Sequence, residues 1–256
     1  MKNKKTLAKI VFLLAIIFSI VIFSSYVVLA NNILPDVSIT IGDNTNNGAS
    51  TSVQLIVLFT ILTLAPSLII MLTSFTRILI SLHFLRNALG TQQIPPNQII
   101  IGIALVLTIF IMSPTIKQVN DNAFVPYSQG KMSQQQFLEE SMKPIREFMF
   151  TQVDDKDLKL FTDLAGIESY ENPEDVPSSV LIPSFILGEV TKGFIIGFIL
   201  YIPFIVIDMV VSSVLMAMGM MMLPPALISA PFKLIFFIMI DGWNLIIGSI
   251  VKTFTG

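Results

Sequence analysis

Residues 203–225 read PFIVIDMVVSSVLMAMGMMMLPP, a long apolar run that ends in methionines and two prolines. Apolar residues continue on both sides of this run, from Ile182 to Val251, and the interruption falls near residues 218–225. Glycine and proline favour a turn at that point, and apolar runs of this length favour helices. The sequence therefore predicts a C-terminal helical hairpin, residues 183–252, with a methionine-rich turn.

Five charged residues lie inside the apolar stretches of this hairpin: Glu189, Lys192, Asp208, Lys233 and Asp241. Each would cost about 2.5–3.5 kcal/mol at the centre of a bilayer, so we expect them to face protein rather than lipid. Facing residues of an antiparallel hairpin have a constant sum of residue numbers. A turn centred on residues 220–221 therefore predicts a contact between Asp208 and Lys233, either within one subunit or between subunits.

The same register places Glu189 opposite Lys252, and Lys192, three residues further along the helix, is the alternative partner. The pair formed by Asp208 and Lys233 has two interpretations. It is either a structural ion pair, which we favour, or a step in a proton relay.

Two further features of the hairpin concern packing. Gly193 and Gly197 form a GxxxG element, which permits close approach of helices. The turn contains five methionines within residues 216–222, and methionine side chains are unbranched, polarizable and able to repack against irregular surfaces. The turn is either an apolar turn that dips into the membrane or an adaptable seal formed where several copies converge.

Residues 53–116 form the N-terminal apolar helices. Pro66 predicts a kink in the first, because proline removes a backbone hydrogen bond. Residues 71–90 continue with helical spacing, include two arginines and His83 but no acid, and are expected to end at Gly90. The apolar run 99–112 predicts only a marginal span, because a bilayer core of ~30 Å requires about 20 residues.

Residues 117–182 differ from both apolar regions, with twelve acidic and six basic residues. Ser133 and Gln136 have the spacing of a capping box at a helix start, and Pro144 predicts a bend or restart within that helix. A second helix is expected from Asp154 or Asp155 to Gly166. Basic residues favour the cytoplasmic side, so the loop with Arg77 and Arg86 is expected inside and this acidic helical insert outside the cytoplasm.

The first thirty residues resemble a signal peptide, with lysines followed by an apolar stretch and with Ala30 at the cleavage position. An uncleaved first helix is the alternative interpretation, because the apolar stretch is long. Residues 31–52, rich in Asn, Gly, Ser and Thr, are expected to form a polar linker.

Composition excludes several classes of function. Charged residues make up 12% of the 256 residues, against about 25% in soluble domains, which places the chain among all-α, membrane-associated proteins. A net charge of −2 gives no basic footprint for nucleic acid. Without cysteine and with one histidine, no thiolate or metal site is expected. No Gly-x-Ser-x-Gly or His-Glu-x-x-His motif occurs, so we expect no enzyme activity and no cofactor.

Four stretches together resemble the FliP family, a component of the flagellar protein export gate that is shared with type III secretion injectisomes. They are MLTSFTRILI (71–80), FLRNALGTQQIPPNQ (84–98), residues 203–225 and ISAPFKLIFFIMIDGWNLIIGS (228–249). A signal peptide is more similar to the flagellar branch than to the injectisome branch.

The resemblance implies a function and a site. Five copies would join two small helical partner families in a closed gate of the cytoplasmic membrane and flagellar basal body, which passes unfolded polypeptides. Methionines 218 and 220–222 match the family's methionine gasket, and the charges Arg77, Glu189, Asp208, Lys233 and Asp241 fall where the family places charged residues. Gly188 stands where the family usually has serine. The resemblance also implies that much of the assembly sits above the bilayer plane, with apolar helices against neighbouring subunits.

Two alternatives remain at this stage. An injectisome gate subunit would have the same fold and a different set of exported proteins. A secondary transporter of a small solute or protons would use Glu189 and Asp208 as coupling carboxylates, and would be expected to show inverted repeats between the two apolar regions. No such repeat is evident between residues 53–116 and 183–251.

Overall fold

The computed structural model describes residues 70–91, 94–167, 170, 175–220 and 222–255, together with isolated positions between 56 and 67. The chain divides into two units, residues 1–60 and 61–256, and the architecture given below is that of the second. The predicted signal peptide, the polar linker, the kink at Pro66 and the gasket residue Met221 lie outside the described residues.

The described residues form helices and no strand, which confirms the all-α class. A π-helical turn, Asn120–Phe124, joins the second helix to the third. The α-helices in chain order are α1 Phe75–Ala88, α2 Asn97–Val119, α3 Val125–Ser128, α4 Gln134–Gln152, α5 Asp155–Leu164, α6 Ser178–Ala217, α7 Pro225–Met239 and α8 Gly242–Thr255.

Two helical stretches of the described residues are long and apolar enough to cross a membrane. One is Asn97–Ser128, with 32 residues, and the other is α6, with 40 residues. The run from Ile99 to Met112 is thus part of a helix that exceeds the about 20 residues of a span, because α2 alone has 23 residues. Helices α7 and α8 meet the same test together, but they are bent by 69° where they join.

Local signals define the two helices of the acidic insert as predicted. At the start of α4, Ser133 Oγ accepts a hydrogen bond from the Gln136 backbone at 3.3 Å, and Gln136 Oε1 accepts one from the Ser133 backbone at 2.9 Å. Helix α4 continues through Pro144 without restarting. Helix α5 is preceded by Asp154 and ends before Gly166, whose φ is +69°. Met149 of α4 packs against Phe185 and its neighbours, so the insert rests on the start of α6.

Helices α1 and α6 lie parallel and in close contact. Arg77 meets Glu189, Ile80 meets Gly193 and Phe84 meets Gly197, so facing residues keep an almost constant separation in sequence. A Cβ atom at Gly193 would lie 3.0 Å from Cβ of Ile80, and one at Gly197 would lie 2.5 Å from Cγ of Phe84. The two glycines therefore let α1 approach α6, and the GxxxG element has its partner within the same chain.

Helices α6 and α7 form the antiparallel hairpin. Phe204 and Phe237 face each other with ring centroids 6.5 Å apart, and Asp208 faces Lys233 one turn further along. The bend that ends α7 lies at Asp241, whose φ of +50° is unusual for a residue other than glycine. At Gly242, a Cβ atom would lie 2.4 Å from the Phe237 ring, so this bend requires glycine. Beyond it, Ile246 and Ile250 of α8 return to the core shared with α1.

Candidate functional site

Arg77 of α1 and Glu189 of α6 form a buried ion pair, with side chains that are 1% and 0% exposed. The Arg77 Nε donates a hydrogen bond to Glu189 Oε2 at 3.1 Å, and Nη2 donates one to Glu189 Oε1. The planar fork of a guanidinium matches both oxygens of a carboxylate in this way. This ion pair therefore joins the two parallel helices.

The other donors of Arg77 reach two further helices. Its Nη2 donates to Gln152 Oε1 at the end of α4 over 3.0 Å, and its Nη1 donates to the carbonyl and the hydroxyl of Thr253 in α8 over 3.0 and 3.1 Å. With the two bonds to Glu189, all five guanidinium N–H groups have an acceptor. The ring of Phe254 covers the guanidinium, with its centroid 3.8 Å from Cζ. This charge is neutralised and fully hydrogen-bonded, which is what a buried ion pair requires.

The sequence-based prediction that Glu189 pairs with Lys252 or Lys192 is wrong. Lys252 is exposed, because the 69° bend between α7 and α8 ends the hairpin register before that residue. Lys192 turns to the insert instead: its Nζ lies 3.0 Å from Asp154 Oδ1 and donates to the carbonyl of Gln152. Arg77 forms the ion pair with Glu189 because α1 packs in parallel against α6.

The predicted contact between Asp208 and Lys233 is confirmed. Lys233 Nζ lies 2.7 Å from Asp208 Oδ2, and the hydroxyl of Ser229, one turn earlier on α7, donates to Asp208 Oδ1 at 2.5 Å. Lys233 also lies near the end of α1, where its Nζ would be 3.8 Å from a Cβ atom at Gly90. Both carboxylate oxygens of Asp208 are thus occupied within the chain, and α1, α6 and α7 meet at this pair.

Asp241 and His83 have local partners. Asp241 Oδ2 accepts a hydrogen bond from Asn244 Nδ2 at 3.2 Å, which stabilises the bend, and no basic side chain among the described residues forms an ion pair with it. His83 lies outside the membrane-length helices, with Nδ1 3.2 Å from Arg86 Nη2. Burial and the neighbouring Arg86 charge lower the pKa of His83.

The backbone fixes the methionine turn at both ends. Helix α6 ends in a Schellman motif, in which Gly219 N–H donates to the Met216 carbonyl at 3.0 Å and Met220 N–H donates to the Leu215 carbonyl at 2.9 Å. Gly219 has a φ of +75°, which glycine adopts without strain. Pro225 opens α7 at the position where helices favour proline.

The described methionine side chains of this turn point away from the core. Met222 is 98% exposed and Met218 is 67% exposed, and Met216 and Met220 are exposed as well. Flexible thioether side chains are thus presented by two rigid helix ends. An exposed apolar group of this kind indicates a contact surface rather than a core.

The residues that surround Arg77 include two that the sequence analysis missed, Gln152 and Thr253. The available signal was an arginine in one apolar segment with no acid near it and a glutamate in another. Among the described residues, no group of three or more His, Asp or Glu side chains is placed to hold a metal ion. The buried side chains of Arg77, Glu189 and Lys233 form ion pairs, whereas the methionine turn is exposed and apolar.

Comparison with known proteins gives one consistent result. Residues 58–250 match the family model described as "FliP family". The chain is 52% identical over 203 residues to the flagellar biosynthetic protein FliP of Pectobacterium carotovorum subsp. carotovorum, with 79% of each chain covered. It is 46% identical over 205 residues to the protein of that name from Bacillus subtilis (strain 168), with 80% of this chain and 93% of the relative covered. The relative from Caulobacter vibrioides is 49% identical over 202 residues, with 79% and 76% covered. By its family model and by these relatives, this chain belongs to the FliP family.

Proposed function

We propose that this chain is a non-enzymatic, pore-forming subunit of the flagellar type III protein export gate. In this role it passes unfolded flagellar proteins across the bacterial cytoplasmic membrane and is needed for flagellum assembly. Family membership supports a part in flagellar biosynthesis, since the relatives carry the name flagellar biosynthetic protein. The observation that carries the pore role is the exposed methionine turn, held by the ends of α6 and α7.

A single copy of this turn cannot enclose a pore. Several copies arranged around an axis would bring their turns together, and methionine side chains would fill the centre because they adapt to irregular surfaces. Such a seal closes around an extended polypeptide and also in its absence. We therefore assign Met218, Met220, Met221 and Met222 to a gasket at the narrowest point of the gate.

Apolar surface supports an assembly with neighbours. Phe198, Val210 and Val214 of α6 and Phe232 and Ile238 of α7 are exposed. The charged side chains inside these helices form ion pairs within the chain, so the outward faces carry almost no charge. We propose that five copies, together with two small helical partner families and other membrane proteins of the export apparatus, cover these faces. Burial between subunits is consistent with an assembly that sits partly above the bilayer plane.

The charged residues have a structural role in this proposal. Arg77 with Glu189, and Asp208 with Lys233, fix the mutual positions of α1, α6, α7 and α8, while Asp241 stabilises the bend before α8. A carboxylate of a proton relay needs access to a proton donor, whereas both oxygens of Asp208 and of Glu189 already accept hydrogen bonds. Gly193 and Gly197 serve the same positioning by allowing α1 to pack closely.

Native mass measurement of the protein purified from cells in mild detergent tests this proposal. The expected species contains five copies together with small helical partners, and cells that lack the chain are expected to make no flagella. A lone monomer would contradict the gate and favour the transporter. Normal flagella with loss of another secreted set of proteins would favour an injectisome gate.

A further inference from the structure

We propose that the described methionines of the turn, Met216, Met218, Met220 and Met222, are sites of reversible oxidation, at which a two-electron oxidant such as hydrogen peroxide opens the closed gate. The inference rests on the proposed gasket function for its effect on the gate. The modification itself stands on the exposure of the side chains.

The described methionines of this chain differ widely in exposure. Met222 and Met218 are almost wholly and largely exposed, whereas Met149 is 0% and Met112 is 4% exposed. Oxidants reach exposed thioethers first, so the turn is expected to react before the buried positions. The chain has no cysteine, which would otherwise compete for the oxidant as a thiolate. The turn therefore concentrates the reactive sulfur of this hairpin end in one short segment.

The chemistry needs only the thioether and the oxidant. A sulfur lone pair attacks one oxygen of hydrogen peroxide, the O–O bond breaks as the S–O bond forms, and the other oxygen leaves as water after proton transfer. Sulfur loses two electrons and the peroxide gains them. The product, methionine sulfoxide, is returned to the thioether by methionine sulfoxide reductases, with one enzyme for each sulfur epimer. The modification can therefore be reversed without new synthesis of the protein.

Oxidation changes the property on which the seal depends. The thioether is apolar and flexible, whereas the sulfoxide is polar and accepts hydrogen bonds from water. An apolar constriction stays closed to ions because it excludes water. Polar groups in the same place allow water to enter the constriction. Sulfoxides at the turn are therefore expected to wet the narrowest point and let small ions pass.

The test uses the complete gate in a planar lipid bilayer, with conductance measured before and after hydrogen peroxide. Three samples are measured: the gate with its native sequence, a turn variant that carries M218L, M220L, M221L and M222L, and a control variant that carries M209L and M239L. For each sample, the conductance after hydrogen peroxide is compared with the conductance before it. Leucine is apolar and has no sulfur. Met209 and Met239 are 64% and 80% exposed in the single chain but lie outside the turn, so their replacement shows whether sulfur elsewhere on α6 and α7 contributes to the rise. Peptide mass measurement locates the added oxygen in each sample.

The expected result is a severalfold rise in conductance for the gate with its native sequence and for the control variant, and no rise for the turn variant. Sulfoxide should be found in the turn and be absent at Met149, and treatment with both reductases should restore the low conductance. If the leucine turn does not assemble, the single change M222L replaces it and should reduce the rise.

Three outcomes would overturn the inference. They are a turn without sulfoxide, sulfoxide in the turn without a change in conductance, and an equal rise in the turn variant. Failure of the proposed gasket is a separate outcome. It would be shown by a gate that carries alanine in place of the turn methionines and still conducts no ions in the absence of oxidant.

Discussion

Arg77 and Glu189 face each other across two parallel helices, and neither side chain reaches solvent. The pair brings together the start of α1, the first third of α6, the end of α4 and the last turn of α8. Because all five guanidinium donors are used, the removal of either partner leaves a buried charge without compensation.

Replacement of Arg77 by alanine is expected to destabilise the folded chain by about 3–5 kcal/mol, the usual cost of breaking a buried pair from one side. Arg77→Lys keeps the charge but loses the two-pronged fit, so it should recover only part of this stability. The measurement is thermal unfolding in detergent, with the exposed Lys252→Ala as the matched control. A loss equal to that of the control would show that the pair contributes nothing.

A second prediction concerns the close approach of α1 and α6. Gly197→Ala places a Cβ atom 2.5 Å from the Phe84 ring, so it should lower the midpoint of thermal unfolding. Gly102→Ala in α2 is the control, because no atom lies within 4 Å of the added methyl group. The double change Gly197→Ala with Phe84→Ala should restore part of the loss caused by the clash. No loss in the single variant would contradict the parallel packing.

The contact between Asp208 and Lys233 predicts a charge exchange. Asp208→Lys or Lys233→Asp alone places like charges side by side and should impair flagellum assembly, whereas the two changes together should restore much of it. The side chain of Asp208 is 32% exposed, so the loss is expected to be smaller than at Arg77. Swimming in soft agar measures the effect. A double variant no better than either single one would show that the pairing does not matter for assembly.

These pairs show how far sequence alone can specify the fold. The contact between Asp208 and Lys233 was predictable, because a turn position and an antiparallel register fix which residues face each other. The capping box at Ser133 was also predictable, because it depends on only four consecutive residues. The pairing of Arg77 with Glu189 was not, because it joins residues 112 positions apart through a parallel packing that no local pattern encodes.

The bend at Asp241 was missed for a different reason. Residues 225–251 are apolar apart from a few positions. The spacing of apolar residues does not indicate that the helix axis changes direction within this stretch. The signal was Asp241-Gly242 itself, a short polar residue able to adopt a positive φ followed by a glycine that tolerates the Phe237 ring. Without the positions of Phe237 and α1, that dipeptide has no evident structural role.

A fourth prediction concerns the side of the membrane on which the chain ends. Gln152 and Thr253 both bind Arg77 at the start of α1, while Lys233 lies near Gly90 at its other end. The acidic insert and the C-terminal residues should therefore lie on the same side as Arg77, outside the cytoplasm, because the positive-inside rule then applies to Arg86 at the other end of α1. The expectation that Arg77 also lies inside is not met in this arrangement. Because the chain has no cysteine, single cysteines report this directly. A membrane-impermeant maleimide added to intact cells should label Lys252→Cys and Glu139→Cys and leave Thr91→Cys unlabelled. Opposite labelling of the first two would contradict the arrangement.

The last prediction addresses the turn itself. Alanine at Met220, Met221 and Met222 removes the flexible side chains without changing Gly219 or the prolines that define the turn, so the gate should assemble and become leaky to small ions. Conductance of the purified gate in a bilayer is the measurement, and alanine at Met209 and Met239, exposed on α6 and α7, is the control that should stay closed. The methionines would have no sealing role if the turn variant conducts no more than this control. A leak in both variants would assign closure to the apolar helix faces instead of the turn.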